Sequence, residues 1–147
     1  LDEQVVMLPK RDFPLYRSMR RVVPYSVTLL VFIAMDAVWL TLTTALYRDQ
    51  LGDLLAPQVR WVPGVLFYLI QVMGIQIFVL PRAGKPVSAF GFGAAFGFFT
   101  YATYDLTNWA VMKDWTFSIS AMDISWGAVV TGAASLAGYL AARRFVK

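Results

Sequence analysis

The sequence predicts an all-α, polytopic membrane protein: a four-transmembrane-helix bundle with a basic N-terminal arm. Three observations carry this. Hydrophobic residues make up 59% of the 147 and charged residues only 15%, too few to clothe a small soluble domain in water. The apolar residues gather in four blocks, each long enough to cross a hydrocarbon core of ~30 Å. Basic residues cluster at the ends of those blocks instead of along one polar face, so the net charge of +4 reads as membrane topology and nucleic acid is not an expected partner.

Residues 1–21 form the arm, carrying Lys10, Arg11, Arg17, Arg20 and Arg21 together with the breakers Pro9 and Pro14. It is too polar for the apolar core of a signal peptide. The start at Leu1 is taken as import followed by cleavage, or as trimming. The remainder, 22–147, forms the membrane domain. Its first span is expected at about 22–47, with Asp36 as the one acid inside it. The second is expected at about 61–80, opened by Pro63, where a missing N–H costs a helix little, and closed by Pro81. The third, at about 88–112, is dense in glycine and aromatics and ends near Asp105 and Asn108. The fourth, at about 121–142, carries Gly127, Gly132 and Gly138 among Ala and Ser and stops at Arg143 and Arg144.

Retained loops carry the excess of Lys and Arg. The arm, the Arg82–Lys85 loop and the tail with Arg143, Arg144 and Lys147 hold all of the 13 basic residues except Arg48, Arg60 and Lys113. That asymmetry puts both termini on the cytoplasmic, matrix or stromal side. Trp39, Trp61, Trp109 and Trp115 fall toward the other face, where an aromatic belt belongs.

The chain has no Cys and no His, which removes thiolate and imidazole chemistry together. No phosphate loop, nucleophile elbow or zincin motif occurs either. An enzyme is therefore not expected, nor a cofactor or a metal. A carboxylate-only metal site or a Ser, Tyr or Lys mechanism stays open.

The polar residues inside the spans are the candidates that remain. Asp36 must face the bundle interior, because a carboxylate in hydrocarbon is costly unless paired, hydrated or protonated. Tyr101, Tyr104, Asp105 and Asn108 are related by helical steps of three or four and share one side of the third span. With Thr43 and Asp123 they form a candidate intramembrane cluster for a cation, a proton or a lipid head group. The alternative is structural glue, in which Asp36 and Asp105 tie helices together through Tyr, Thr and Asn, and it is preferred for those two acids. Ser120 and Asp123 have capping-box spacing, which marks Asp123 as a helix cap. Gly93 and Gly97, with Gly132 and Gly138, make small-residue stripes suited to close helix packing, foremost between the third and fourth spans. The basic arm suits lipid head groups, anionic and cardiolipin-like, or a partner, with each nearby cation contributing on the order of 1 kcal/mol; topology control explains it equally well.

Three segments together resemble a known family: Met35-Asp-Ala-Val-Trp-Leu40, Tyr101-Ala-Thr-Tyr-Asp-Leu-Thr-Asn108 and Asp123-Ile-Ser-Trp-Gly127. They are similar to the bacterial membrane proteins grouped as domain of unknown function 2177, over roughly residues 22–142. The resemblance implies a four-helix membrane protein with no assigned activity, whose recurring residues include Asp36, Trp39, Tyr101, Tyr104, Asp105, Asn108, Asp123 and Trp126. The arm departs from that pattern, which suggests adaptation to a partner. The leading expectation is a non-catalytic accessory subunit of a respiratory or photosynthetic membrane complex. An inner mitochondrial or other organellar membrane is expected ahead of a bacterial plasma membrane. The alternative is a stand-alone small transporter or lipid-handling enzyme using the Asp/Tyr/Asn pocket.

Overall fold

The computed structural model describes residues 14–144, with side chains from Ser18 onward; Lys10, Arg11 and Lys147 lie outside the described residues. Four long helices account for most of them: α1 (Pro14–Leu51), α2 (Trp61–Gly74), α3 (Pro86–Val111) and α4 (Phe117–Arg143). There is no strand among the described residues. Three segments, Ser18–Leu54, Trp61–Arg82 and Phe117–Arg143, are long and apolar enough to cross a membrane.

α3 is the exception. Its 26 residues span about 39 Å at 1.5 Å per residue, so length is not what sets it apart. Its polar and small residues do so, and several of them turn inward: Ala89, Gly93, Gly97, Ala102 and Asp105 are buried while Phe92, Phe98 and Phe99 point out. Thr103 and Thr107 are exposed but return their hydroxyls to the backbone carbonyls of Phe99 and Thr103, both at 2.7 Å.

Two boundaries differ from expectation. α1 starts at Pro14, so residues 14–21 of the arm are helix continuous with the first span. Proline is tolerated in a first turn, and the Arg residues there mark the edge of hydrocarbon without ending the helix. α4 starts at Phe117, because Thr116 caps it by accepting the Ile119 N–H at 3.3 Å. Asp123 is therefore inside the helix, and the capping role expected for it is overturned. Ser120 instead accepts the Trp115 indole N–H at 3.0 Å.

α2 runs on beyond Gly74 through a π turn (Ile75–Val79) and a 3₁₀ turn (Leu80–Arg82). Pro81 has no N–H to return to the preceding turn, so the regular ladder cannot continue there and relaxes through wider and tighter turns. The π turn keeps Ile75 and Val79 buried together with Val72, Phe32, Val130 and Ala134, which form the apolar core.

α4 is the central element, antiparallel to both α3 and α1. Hydrocarbon is as apolar as a leucine side chain, so the usual drive of about 25 cal/mol per Å² is missing and close packing must hold the helices. Glycine makes that approach possible. A Cβ on Gly97 would strike the Gly127 carbonyl and lie 2.6 Å from Thr131, one on Gly93 would lie 2.9 Å from the Thr131 carbonyl, and one on Gly127 would overlap the Tyr101 ring. Gly132 lies against Phe90 of α3, whereas Gly138 makes room for Thr28 of α1. Thr28 in turn bonds the Pro24 carbonyl at 2.7 Å and accepts from Gln76 at 3.1 Å, joining α1, α2 and α4 at the end that carries the basic residues.

Candidate functional site

The buried residues of α1 fall on one stripe. Pro24, Thr28, Phe32, Asp36 and Thr43 are inward at helical spacing, while Leu30, Val38 and Leu42 point outward. Asp36 is thereby turned into the protein and is 7% exposed. Both of its oxygens are met. Tyr68 of α2 donates its hydroxyl to Oδ2 at 2.6 Å, and Trp126 of α4 donates its indole N–H to Oδ1 at 3.0 Å. A single carboxylate so joins three helices. The Trp126 ring also lies parallel to that of Trp39, with centroids 4.5 Å apart.

Asp123 precedes Trp126 by three residues and shares its face of α4. It accepts the hydroxyl of Tyr47, one turn before the end of α1. Gln50 closes the same end by accepting from Thr116 at 2.7 Å and Ser118 at 2.6 Å.

These groups border a cavity of about 610 Å³ to which all four helices contribute. Asp36, Trp39 and Tyr47 come from α1, Phe67 and Gln71 from α2, Thr100, Tyr101 and Tyr104 from α3, and Asp123 and Trp126 from α4. It occupies the half of the molecule toward the α1–α2 and α3–α4 connections. Among the described residues its lining includes no Lys or Arg. The rim is apolar and open: Leu40 of α1 is 47% exposed, Phe67 of α2 40% and Tyr104 of α3 58%. Those residues stand on the outward faces of their helices, so the mouth opens sideways, between helices, into whatever surrounds them.

Gln71 supplies the remaining polar wall. It is 6% exposed, and its amide N–H group reaches Thr100 at 3.1 Å and Thr131 at 3.4 Å. Its amide oxygen accepts no side-chain hydrogen bond among the described residues.

Asp36, Tyr101, Tyr104 and Asp123 of the expected cluster therefore share the cavity, and three others do not. Thr43 is buried but bonds the Trp39 carbonyl of its own helix at 2.8 Å. Asp105 is fully buried, with neither oxygen hydrogen-bonded, and the side-chain nitrogen of Asn108 is likewise without a partner. Both continue the stripe of Gly93, Gly97 and Tyr101 that faces α4. The expected meeting of Asp36 with Asp105 does not occur. Of the basic residues assigned to docking, Arg20 and Arg21 are exposed on α1, Arg17 lies in the same helix, and Lys10 and Arg11 fall outside the described residues.

Sequence reasoning left Tyr47, Tyr68 and Thr100 out of the cluster. Tyr68 had a usable signal, being one helical turn from Gln71 in an otherwise apolar span. No group of three or more carboxylates lies close enough to hold a metal among the described residues.

The sequence matches the family described as "Predicted membrane protein (DUF2177)" over residues 21–140. No match to a curated protein or to a solved structure accompanies it.

Proposed function

The chain belongs to the DUF2177 family of predicted membrane proteins, and on that premise we propose that it is a four-span integral membrane protein that takes up a small amphiphile from the bilayer. One observation carries the proposal: a cavity of about 610 Å³, walled by all four helices, with two carboxylates inside and an apolar mouth opening sideways. Its size falls in the range of small-molecule sites, roughly 300–1,000 Å³. An amphiphile fits both halves of the geometry, its head reaching the polar wall and its tail leaving past Leu40 and Phe67.

The protein binds without covalent chemistry in this reading. Covalent catalysis would need an activated nucleophile, and no Ser, Cys, Lys or His lines the cavity among the described residues. The excess of basic residues near both ends supports a cytoplasmic, matrix or stromal placement of the termini.

Leu40→Trp tests the proposal, because the site is on the rim and exposed, so a larger ring can close the mouth without disturbing the core. The wild-type protein, extracted in mild detergent, should release a bound amphiphile into organic solvent, detected by mass spectrometry. The variant, with unchanged helical circular dichroism, should release much less. Equal yields from both would reject the cavity as the binding site. On native electrophoresis the amphiphile-binding protein runs as a small free species; migration only within a large assembly would favour the accessory-subunit reading instead.

A further inference from the structure

The cavity selects the charge of its guest. We propose that the head group it receives is a primary ammonium, held at Asp36 and Asp123 with the Gln71 amide oxygen as a further acceptor. The inference rests on the cavity being an amphiphile site and adds the chemistry of the head.

Asp36 and Asp123 each have acceptor capacity beyond the donors they engage, since an ionised carboxylate offers about four lone-pair sites. Asp36 uses two, for Tyr68 and Trp126, and Asp123 one, for Tyr47. Gln71 adds an oxygen that accepts from no side chain among the described residues, at a residue only 6% exposed. Three acceptor groups on this wall thus keep room for donors from a guest, and an ammonium is three donors and no acceptor.

Charge points the same way. Two carboxylates in one water-poor cavity need compensation. Among the described residues the lining holds no basic one, and Arg48 and Arg60, at the ends of their helices, are exposed to the surroundings. A neutral hydroxylated head would satisfy hydrogen bonds but leave the charge uncompensated. An anionic head would add to it. The aromatic wall of Trp39, Trp126 and Tyr101 also favours a cation, because ring faces attract positive charge within about 6 Å of the centroid.

Native mass spectrometry of the full chain in a polyoxyethylene detergent provides the test, using dodecylammonium, dodecyl sulfate and dodecyl maltoside as probes with the same tail. Dodecylammonium should bind one per chain and about tenfold or more tighter than the other two, as expected for one charge-assisted hydrogen-bonded contact. Asp123→Asn should remove most of that preference for the ammonium over the other two heads, and Asp36→Asn should do the same where the variant folds. Equal binding of all three probes would overturn the ammonium assignment yet leave the amphiphile cavity standing. Tighter binding of the sulfate would overturn it too. Absence of all three, with Leu40→Trp identical to wild type, would instead bring down the cavity reading beneath it.

Discussion

At the scale of single residues, the two acids that looked equivalent in the sequence have opposite surroundings. Asp36 is met by two donors from other helices, whereas Asp105 is fully buried with no hydrogen-bond partner among the described residues. Their substitution to Asn should therefore diverge. At position 36 the amide oxygen can still accept the donor-only Trp126 indole N–H, but the NH₂ then faces the Tyr68 hydroxyl, which must turn to accept and loses the acceptor of its own proton. The expected cost is about 1–3 kcal/mol, the usual consequence of leaving a buried polar group unsatisfied. At position 105 the same change removes a group that can carry charge and deletes no hydrogen bond. Stability should stay within about 0.5 kcal/mol of wild type or rise. Unfolding in mixed micelles by added denaturing detergent measures both. A loss at position 105 as large as at 36 would show that Asp105 has an essential partner.

At the scale of the helix, Gly97 and Gly91 make a paired prediction. A Cβ at Gly97 collides with the α4 backbone at Gly127 and with Thr131, but at Gly91 it meets nothing within 4 Å. Gly97→Ala should push α3 from α4 and cost about 1–3 kcal/mol. Gly91→Ala should be neutral or stabilise by up to about 1 kcal/mol, since alanine is the better helix former. The same micellar unfolding experiment reads both. Small-residue spacing revealed these stripes in the sequence, because glycine every four residues in an apolar run has little use except close approach. Helix ends were less legible. Hydropathy marks where hydrocarbon stops, and α1 continues as helix past that point to Pro14. The Ser120–Asp123 spacing misled because Thr116, one turn earlier, takes the capping place. Two members of the polar cluster, Asp105 and Asn108, misled for a related reason. Tyr101, Asp105 and Asn108 share a broad side of α3, but that side straddles two neighbours: Thr100 and Tyr104 lie on its cavity flank, and Asp105 lies on the flank facing α4. Periodicity gives a side of a helix; which neighbour lies against it depends on packing that no single helix encodes.

At the scale of the whole molecule, the antiparallel helices place two kinds of end at opposite poles. The start of α1, the turn between α2 and α3, and the end of α4 carry Arg20, Arg21, Arg82, Lys85, Arg143 and Arg144. The connections after α1 and α3 lie at the cavity pole, with Arg48, Arg60 and Lys113. Basic loops resist translocation, so the orientation proposed above would put the cavity in the half away from the cytoplasm, matrix or stroma. An amphiphile would then be met from the outer leaflet. Single cysteines have no native background in a chain without Cys, which makes the orientation directly measurable. Ser118→Cys is exposed at the cavity pole, and Arg144→Cys is exposed at the basic one. In intact cells or right-side-out vesicles, a membrane-impermeant maleimide should label position 118 and spare position 144 until the membrane is opened. If Arg144→Cys labels first, the cavity faces the inner leaflet and its guest is drawn from there. Labelling of both before opening would mean that α4, the one helix between the two positions, does not cross the membrane, and the proposed four-span topology would fall with it.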